Sequence, residues 1–200
     1  INITGDIADV WRYLRDQKDL LYILMTVFLV VFLSMPYTQL MPIFVDDVLG
    51  VGGTGYGILV AVQGGGSIFG SLLMASMPSR IGRGRLLILS GTLLGVAVSL
   101  FAFSESYPLS LVLMAFIGLA QAGRMTLPVA LLQSYSEGEY RARVMSFYGV
   151  EFGLSSFGSF FAAMLVGSIG IQWSVGGMAL GLIAASVLIY TFLPRLRRLA

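Results

Sequence analysis

Six stretches of this chain are apolar for long enough to cross a lipid bilayer, and short loops are nearly all that separates them. About 20 helical residues span a hydrocarbon core of about 30 Å. Cut at charged and turn-forming residues, the runs cover roughly 20–45, 56–77, 86–103, 109–132, 144–166 and 174–193. Strand-like alternation over about ten residues, the mark of an outer-membrane barrel, is absent. Composition leads to the same place. Only 11% of the residues are charged and 57% are hydrophobic, whereas a soluble domain carries about a quarter charged residues. Such a chain cannot coat a folded surface in water, and it is too apolar to be disordered. The expected class is all-α integral membrane, with six transmembrane helices.

The missing residue types exclude further chemistry. The chain has no cysteine and no histidine. Disulfides, thiolate metal sites and the commonest metal ligand and general base are therefore ruled out. No metal, cofactor or enzymatic activity is expected. The net charge of +2 comes from few groups, so no nucleic-acid partner is expected either.

Lysine and arginine decide orientation. Arg12, Arg15 and Lys18 precede the first span, and Arg80, Arg83 and Arg85 separate the second from the third. Arg141 and Arg143 lie between the fourth and fifth, and Arg195, Arg197 and Arg198 follow the sixth. The other three loops carry none. This alternation predicts that both termini and every basic loop are cytoplasmic, in a cell (inner) membrane. It divides the chain into a cytoplasmic linker at 1–19, a bundle at 20–194 and a basic tail at 195–200. Ile7, Val10, Trp11 and Leu14 recur at helical spacing. They suit either an amphipathic helix on the membrane surface or a plain extension of the first span. The opening Ile1-Asn2, with no initiator methionine, suggests part of a longer polypeptide or a processed product.

Polar residues are unevenly spread. The third and sixth spans hold only small hydroxyl residues and one terminal tyrosine, so they are expected to face lipid over much of their circumference. The first span has Ser34, Tyr37, Thr38 and Gln39 bracketed by Pro36 and Pro42. The second has Gln63 beside Gly64-Gly65-Gly66, the fourth has Gln121, Arg124 and Pro128, and the fifth has Glu151. Those four spans are expected to meet protein or water. Each triplet of spans opens with a proline-containing polar helix and closes with a plain one. Triplets with an odd number of spans place successive copies in opposite orientation, which predicts two inverted three-helix repeats. Gly66 with Gly70, Gly91 with Gly95, Gly149 with Gly153 and Gly177 with Gly181 stand four apart, a spacing that lets helix backbones approach in lipid.

The basic loops carry a recognisable pattern. Met77-Pro78-Ser79-Arg80-Ile81-Gly82-Arg83-Gly84-Arg85 resembles the G-x-x-x-D-R-x-G-R-R motif of the major facilitator superfamily. Arg80, Gly82, Arg83 and Arg85 match it closely or within one position, while Ala75 replaces its leading glycine and Ser79 its aspartate. Glu139 to Ser146 resembles the E-x-R-G-R-V-M-S segment of drug-exporter-like members, with Ala142 for the glycine. The resemblance covers essentially the whole chain. It implies the C-terminal half, helices seven to twelve, of a drug/siderophore-exporter-like transporter. The implied partners are a small-molecule substrate, protons, the lipid bilayer and an N-terminal six-helix half on the same or a separate chain. The basic residues of the two loops are the implied gating loops. With Ser79 for the aspartate, the family's lock on the outward-facing state is not expected in this half.

Arg124 and Glu151 are the formal charges well inside predicted spans. Each lies about 10–12 Å deep at 1.5 Å rise per residue, on consecutive helices, so a direct ion pair is geometrically reasonable. A charge in mid-membrane costs about 2.5–3.5 kcal/mol or more and normally pairs or lines a wet cavity. The pair either clamps the fourth and fifth spans or makes Glu151 a proton-coupling carboxylate. Tyr37, Thr38 and Gln39 lie beside proline breaks that free backbone carbonyls. With Gln63 and Gln121 they are candidates for the substrate cavity, or else packing residues and interhelical hydrogen bonds. The expected function is proton-coupled export of small apolar or amphipathic molecules by alternating access. A non-transporting six-helix scaffold or assembly partner is the alternative.

Overall fold

The computed structural model describes residues 12–77, 82–197 and 199. Ile7, Val10 and Trp11, proposed for a surface helix, lie outside the described residues, as do Ser79, Arg80 and Arg198. Six helical spans of 20 to 32 residues are each long and apolar enough to cross a membrane. A helical turn over 12–16 comes first. The first span comprises α1 (Lys18–Ser34), α2 (Pro36–Phe44) and a π-helical turn, Val45–Leu49. Then follow α3 (Gly52–Ser76), α4 (Arg83–Ala102) and α5 (Tyr107–Tyr135). The fifth span is α6 (Gly138–Tyr148) and α7 (Glu151–Ile169), and the sixth is α8 (Ile171–Phe192) before a short α9 (Pro194–Arg197).

The spans run past the apolar cores read from the sequence because helix continues through charged and glycine residues at the rims. Two are segmented. In the first, Pro36 has no N–H to give to the Phe32 carbonyl four residues back, and Thr38 N–H bonds Met35 O instead, at 3.1 Å. The π-helical turn ends at Gly50 with φ +63°, a left-handed conformation that favours glycine. In the fifth, Gly149 and Val150 form a turn in which Val150 N–H bonds Phe147 O. Such three-residue bonding inside a long helix marks a hinge.

Helix pairing follows a simple scheme. The second span packs on the fourth (α3 on α5), and the first on the fifth (α1 and α2 on α7). The third packs on both the fourth and the sixth, and the sixth also meets the first. Exchanging one triplet of spans for the other maps these pairs onto themselves, but the fifth span also packs on the sixth and the second does not pack likewise on the third. Gly66 and Gly70 of α3 face the backbones of Ala115 and Leu119, and Gly118 of α5 faces the Gln63 carbonyl. No side chain separates the two backbones at those points, so only glycine fits. Gly95 packs against Ile183, whereas Gly64, Gly65, Gly153 and Gly177 face open space. The Gly149–Gly153 and Gly177–Gly181 spacings are therefore not helix-packing pairs within this bundle.

Two apolar clusters lie at opposite ends. One gathers Tyr37, Phe44, Leu59, Phe101, Met114 and Ile117. The other joins Leu14, Leu20, Leu131, Val144, Leu196 and Leu199, so the segments before the first span, around the fourth-to-fifth loop and after the sixth meet at one end. Exposure corrects one expectation. The third span is among the most buried, while the second and fifth present exposed faces with Ile68, Phe69 and Leu72, and Phe157, Phe160 and Met164. Polarity does not report coverage here. The third span is sandwiched between two neighbours because Gly91, Gly95 and its small hydroxyl residues let them approach.

Candidate functional site

The four polar spans bring their side chains together. Just beyond the Pro36 kink, α2 buries Tyr37 at 2% exposure. Gln63 reaches it from α3, with Nε2 donating to the Tyr37 hydroxyl at 2.8 Å. A buried hydroxyl loses its hydration and needs such a partner.

Arg124 on α5 and Glu151 at the start of α7 are 4% and 8% exposed. Arg124 Nη1 stands 3.7 Å from Glu151 Oε2. That is an ion pair by distance and longer than a hydrogen bond, and neither atom has a hydrogen-bond partner. Arg124 Nε donates to Gln121 Oε1, one helical turn back, at 3.3 Å. Pro128 cannot donate to the Arg124 carbonyl, so α5 lacks that one rung of its ladder at this level. Arg124 is close enough to Tyr37 and to Tyr148 to act on both hydroxyls electrostatically, and the Tyr148 hydroxyl faces the Glu151 carboxylate. The result is one cluster, Tyr37–Gln63 and Gln121–Arg124–Glu151–Tyr148, in which Tyr37, Arg124 and Glu151 are buried and Gln63, Gln121 and Tyr148 half-buried. It holds a guanidinium, a carboxylate and unsaturated hydrogen-bonding capacity in an apolar bundle.

The other candidates are placed differently. Thr38 is half-buried and spends its hydroxyl on the Met35 carbonyl at 2.7 Å. Gln39 is exposed and does not enter this network among the described residues. In the loop after α3, Gly82 precedes α4 as its N-cap residue, and Arg83 Nη1 donates to Ser134 Oγ at 3.3 Å. Arg85, Arg141 and Arg143 are exposed, with Arg143 5.9 Å from the Tyr140 ring centroid. Arg80 lies outside the described residues. A groove of about 370 Å3 on the outer face of α3 and α5, lined by Gly65, Phe69 and Phe116, holds none of the polar candidates.

Sequence reasoning missed Tyr148. Its signal was its place one helical turn before Glu151, which puts both on one helix face. It also missed Tyr140, which it treated as a spacer within a basic motif.

Neither a curated protein nor a solved structure matches the chain. The family model described as Major Facilitator Superfamily matches residues 23–200, which takes in the first span from residue 23, the other five spans, both basic loops and the polar cluster. The chain is accordingly a multi-pass membrane transporter belonging to the major facilitator superfamily.

Proposed function

We infer that this chain is the C-terminal half of a proton-coupled exporter in the drug/siderophore-exporter-like branch. It would move small apolar or amphipathic molecules outward by alternating access. The observation that carries this reading is the buried Arg124–Glu151 pair, 3.7 Å apart and with an unpartnered atom on each side. A proton on Glu151 cancels its attraction for Arg124. A cationic or hydrogen-bonding substrate competes for the same carboxylate, so proton and substrate exclude one another. Tyr37, Gln63 and Gln121 form the wall beside it, and Thr38 and Gln39 continue that wall along α2.

The exposed apolar faces of α3 and α7 are then the seat of an N-terminal six-helix half, on the same or a separate chain. The two halves rock about the central site. Arg80, Gly82, Arg83 and Arg85, with Arg141 and Arg143, gate the end where the basic segments meet. That end is cytoplasmic, since lysine and arginine are retained on that side, and the membrane is a cell (inner) membrane.

Reconstituted Glu151→Gln protein tests the coupling. The expected outcome is loss of efflux driven by a proton gradient, with an unchanged size-exclusion profile showing that the protein still folds, and a lower melting temperature because Arg124 loses its buried counter-ion. Undiminished gradient-driven efflux would rule out coupling through Glu151. A scaffold role is favoured by the burial of the pair alone, and it predicts no gradient-driven flux in the unsubstituted protein.

A further inference from the structure

The fifth span is the one whose two halves are separately held. Its lower part, α6, has little contact with its neighbour α5, and it joins α7 through the exposed Gly149–Val150 turn. A Cβ at Gly149 would meet only the Ser146 backbone of α6 itself, so no neighbouring helix braces that turn. The start of α6, far from the turn, is held by the segment before the first span. Tyr13 stacks on Tyr140 of α6 with ring centroids 4.2 Å apart and planes 5° from parallel. The Tyr13 hydroxyl accepts a hydrogen bond from the backbone N–H of Glu137, the N-cap residue of α6, at 3.1 Å. Leu14 is fully buried in the same apolar cluster as Val144 of α6. This segment is itself jointed to α1, because Gln17 leaves helical geometry at φ −94°, ψ 77°.

We propose that residues 12–16 are a strap that clamps α6, and that release of the strap lets α6 swing about the Gly149–Val150 turn while α7 stays packed on α1. Three contacts of different kinds converge on the N-terminal part of this short helix, while close to the turn Phe147 meets Phe28 of α1 with ring centroids 6.1 Å apart. A hinge lies at each end of the device, at Gln17 and at Gly149–Val150. Glu151 is the first residue beyond the second hinge, so the strap's position is felt at the buried ion pair without touching it.

The chain contains no cysteine, so a single introduced thiol reports cleanly. The full chain in detergent, carrying Val144→Cys, is labelled with a small maleimide, with and without Tyr13→Ala or Tyr140→Ala. Local opening exposes the thiol in proportion to the open population, and loss of a stacked aromatic pair raises that population about fivefold. The expected result is about fivefold faster labelling in either alanine variant. Labelling of a control cysteine at Ala97, buried in α4, should stay unchanged. Equal rates with and without the strap residues would overturn the proposal. So would an equal rise at the Ala97 control, because the strap would then support the whole bundle rather than clamp α6. If Val144→Cys does not fold, Met145→Cys, half-buried against the same cluster, serves the same comparison.

Discussion

Two helix pairs carry all four polar spans, and they are joined by opposite means. The α3–α5 pair is a backbone contact. Gly66, Gly70 and Gly118 let backbone meet backbone at the crossing, and Ser67 Oγ donates across it to the Gly118 carbonyl at 3.1 Å. The α1–α7 pair is mostly an aromatic contact, with Phe32 against Phe157 and Phe161 at 6.3 and 6.1 Å between centroids. Its one close backbone approach is at Gly158, where a Cβ would stand 2.6 Å from the Phe32 carbonyl. The first kind of contact is rigid, because backbone atoms locked in helical hydrogen bonds cannot give way. The second adapts, because rings slide and because Pro36 leaves the Phe32 carbonyl outside the helical ladder. The polar contacts from side chain to side chain run between the pairs rather than within them. Gln63 of α3 holds Tyr37 of α2, and Arg124 of α5 meets Glu151 of α7.

The largest effect is expected from cutting the charged link between the pairs. Arg124→Leu strands a buried carboxylate and should cost about 3–5 kcal/mol, read as a lower melting temperature in detergent. Adding Glu151→Leu should restore most of it. If the double variant is as unstable as the single one, the pair is not what joins the two halves of the comparison.

The glycines sharpen the contrast itself. Gly118→Ala drives a methyl into the Gln63 carbonyl and should cost about 3 kcal/mol, whereas Gly158→Ala should cost about 1 kcal/mol because the Phe32 carbonyl can tilt. Equal losses on thermal unfolding would mean that the α1–α7 contact is as rigid as its counterpart. The smallest effect is expected at the neutral link. Tyr37→Phe keeps the ring and deletes the hydroxyl, and should cost about 1 kcal/mol, with the loss absent when Gln63→Leu is already in place.

Much of this was legible along the chain. The six spans were, because each needs only local length and apolarity. That Arg124 and Glu151 share a level followed from counting residues between each charge and its basic loop at a fixed rise. Other features depend on which helices become neighbours. Gln63 finds Tyr37 across 26 positions, and nothing in either local sequence names the other. The third span reads as the plainest helix, yet 61% of its most apolar window is buried, against 11% for the glycine-rich second span. In a bilayer the tails are as apolar as leucine, so hydrophobicity cannot say which face is covered. Small residues at crossings decide that, and a glycine in sequence does not reveal whether a partner backbone or open space lies opposite. Gly66 and Gly65 are adjacent and have those two different fates.

Helix number, helix type and the positions of charge along the chain therefore follow from residue order alone, since an unsatisfied backbone is intolerable in lipid and a helix satisfies its own. Tertiary structure decided the rest. It determined which helices cross with backbone against backbone, how two distant polar pairs come together in one cluster, and that the segment before the first span grips the fifth. Those outcomes depend on steric fit between surfaces far apart in sequence, and such fit exists only once the helices have met.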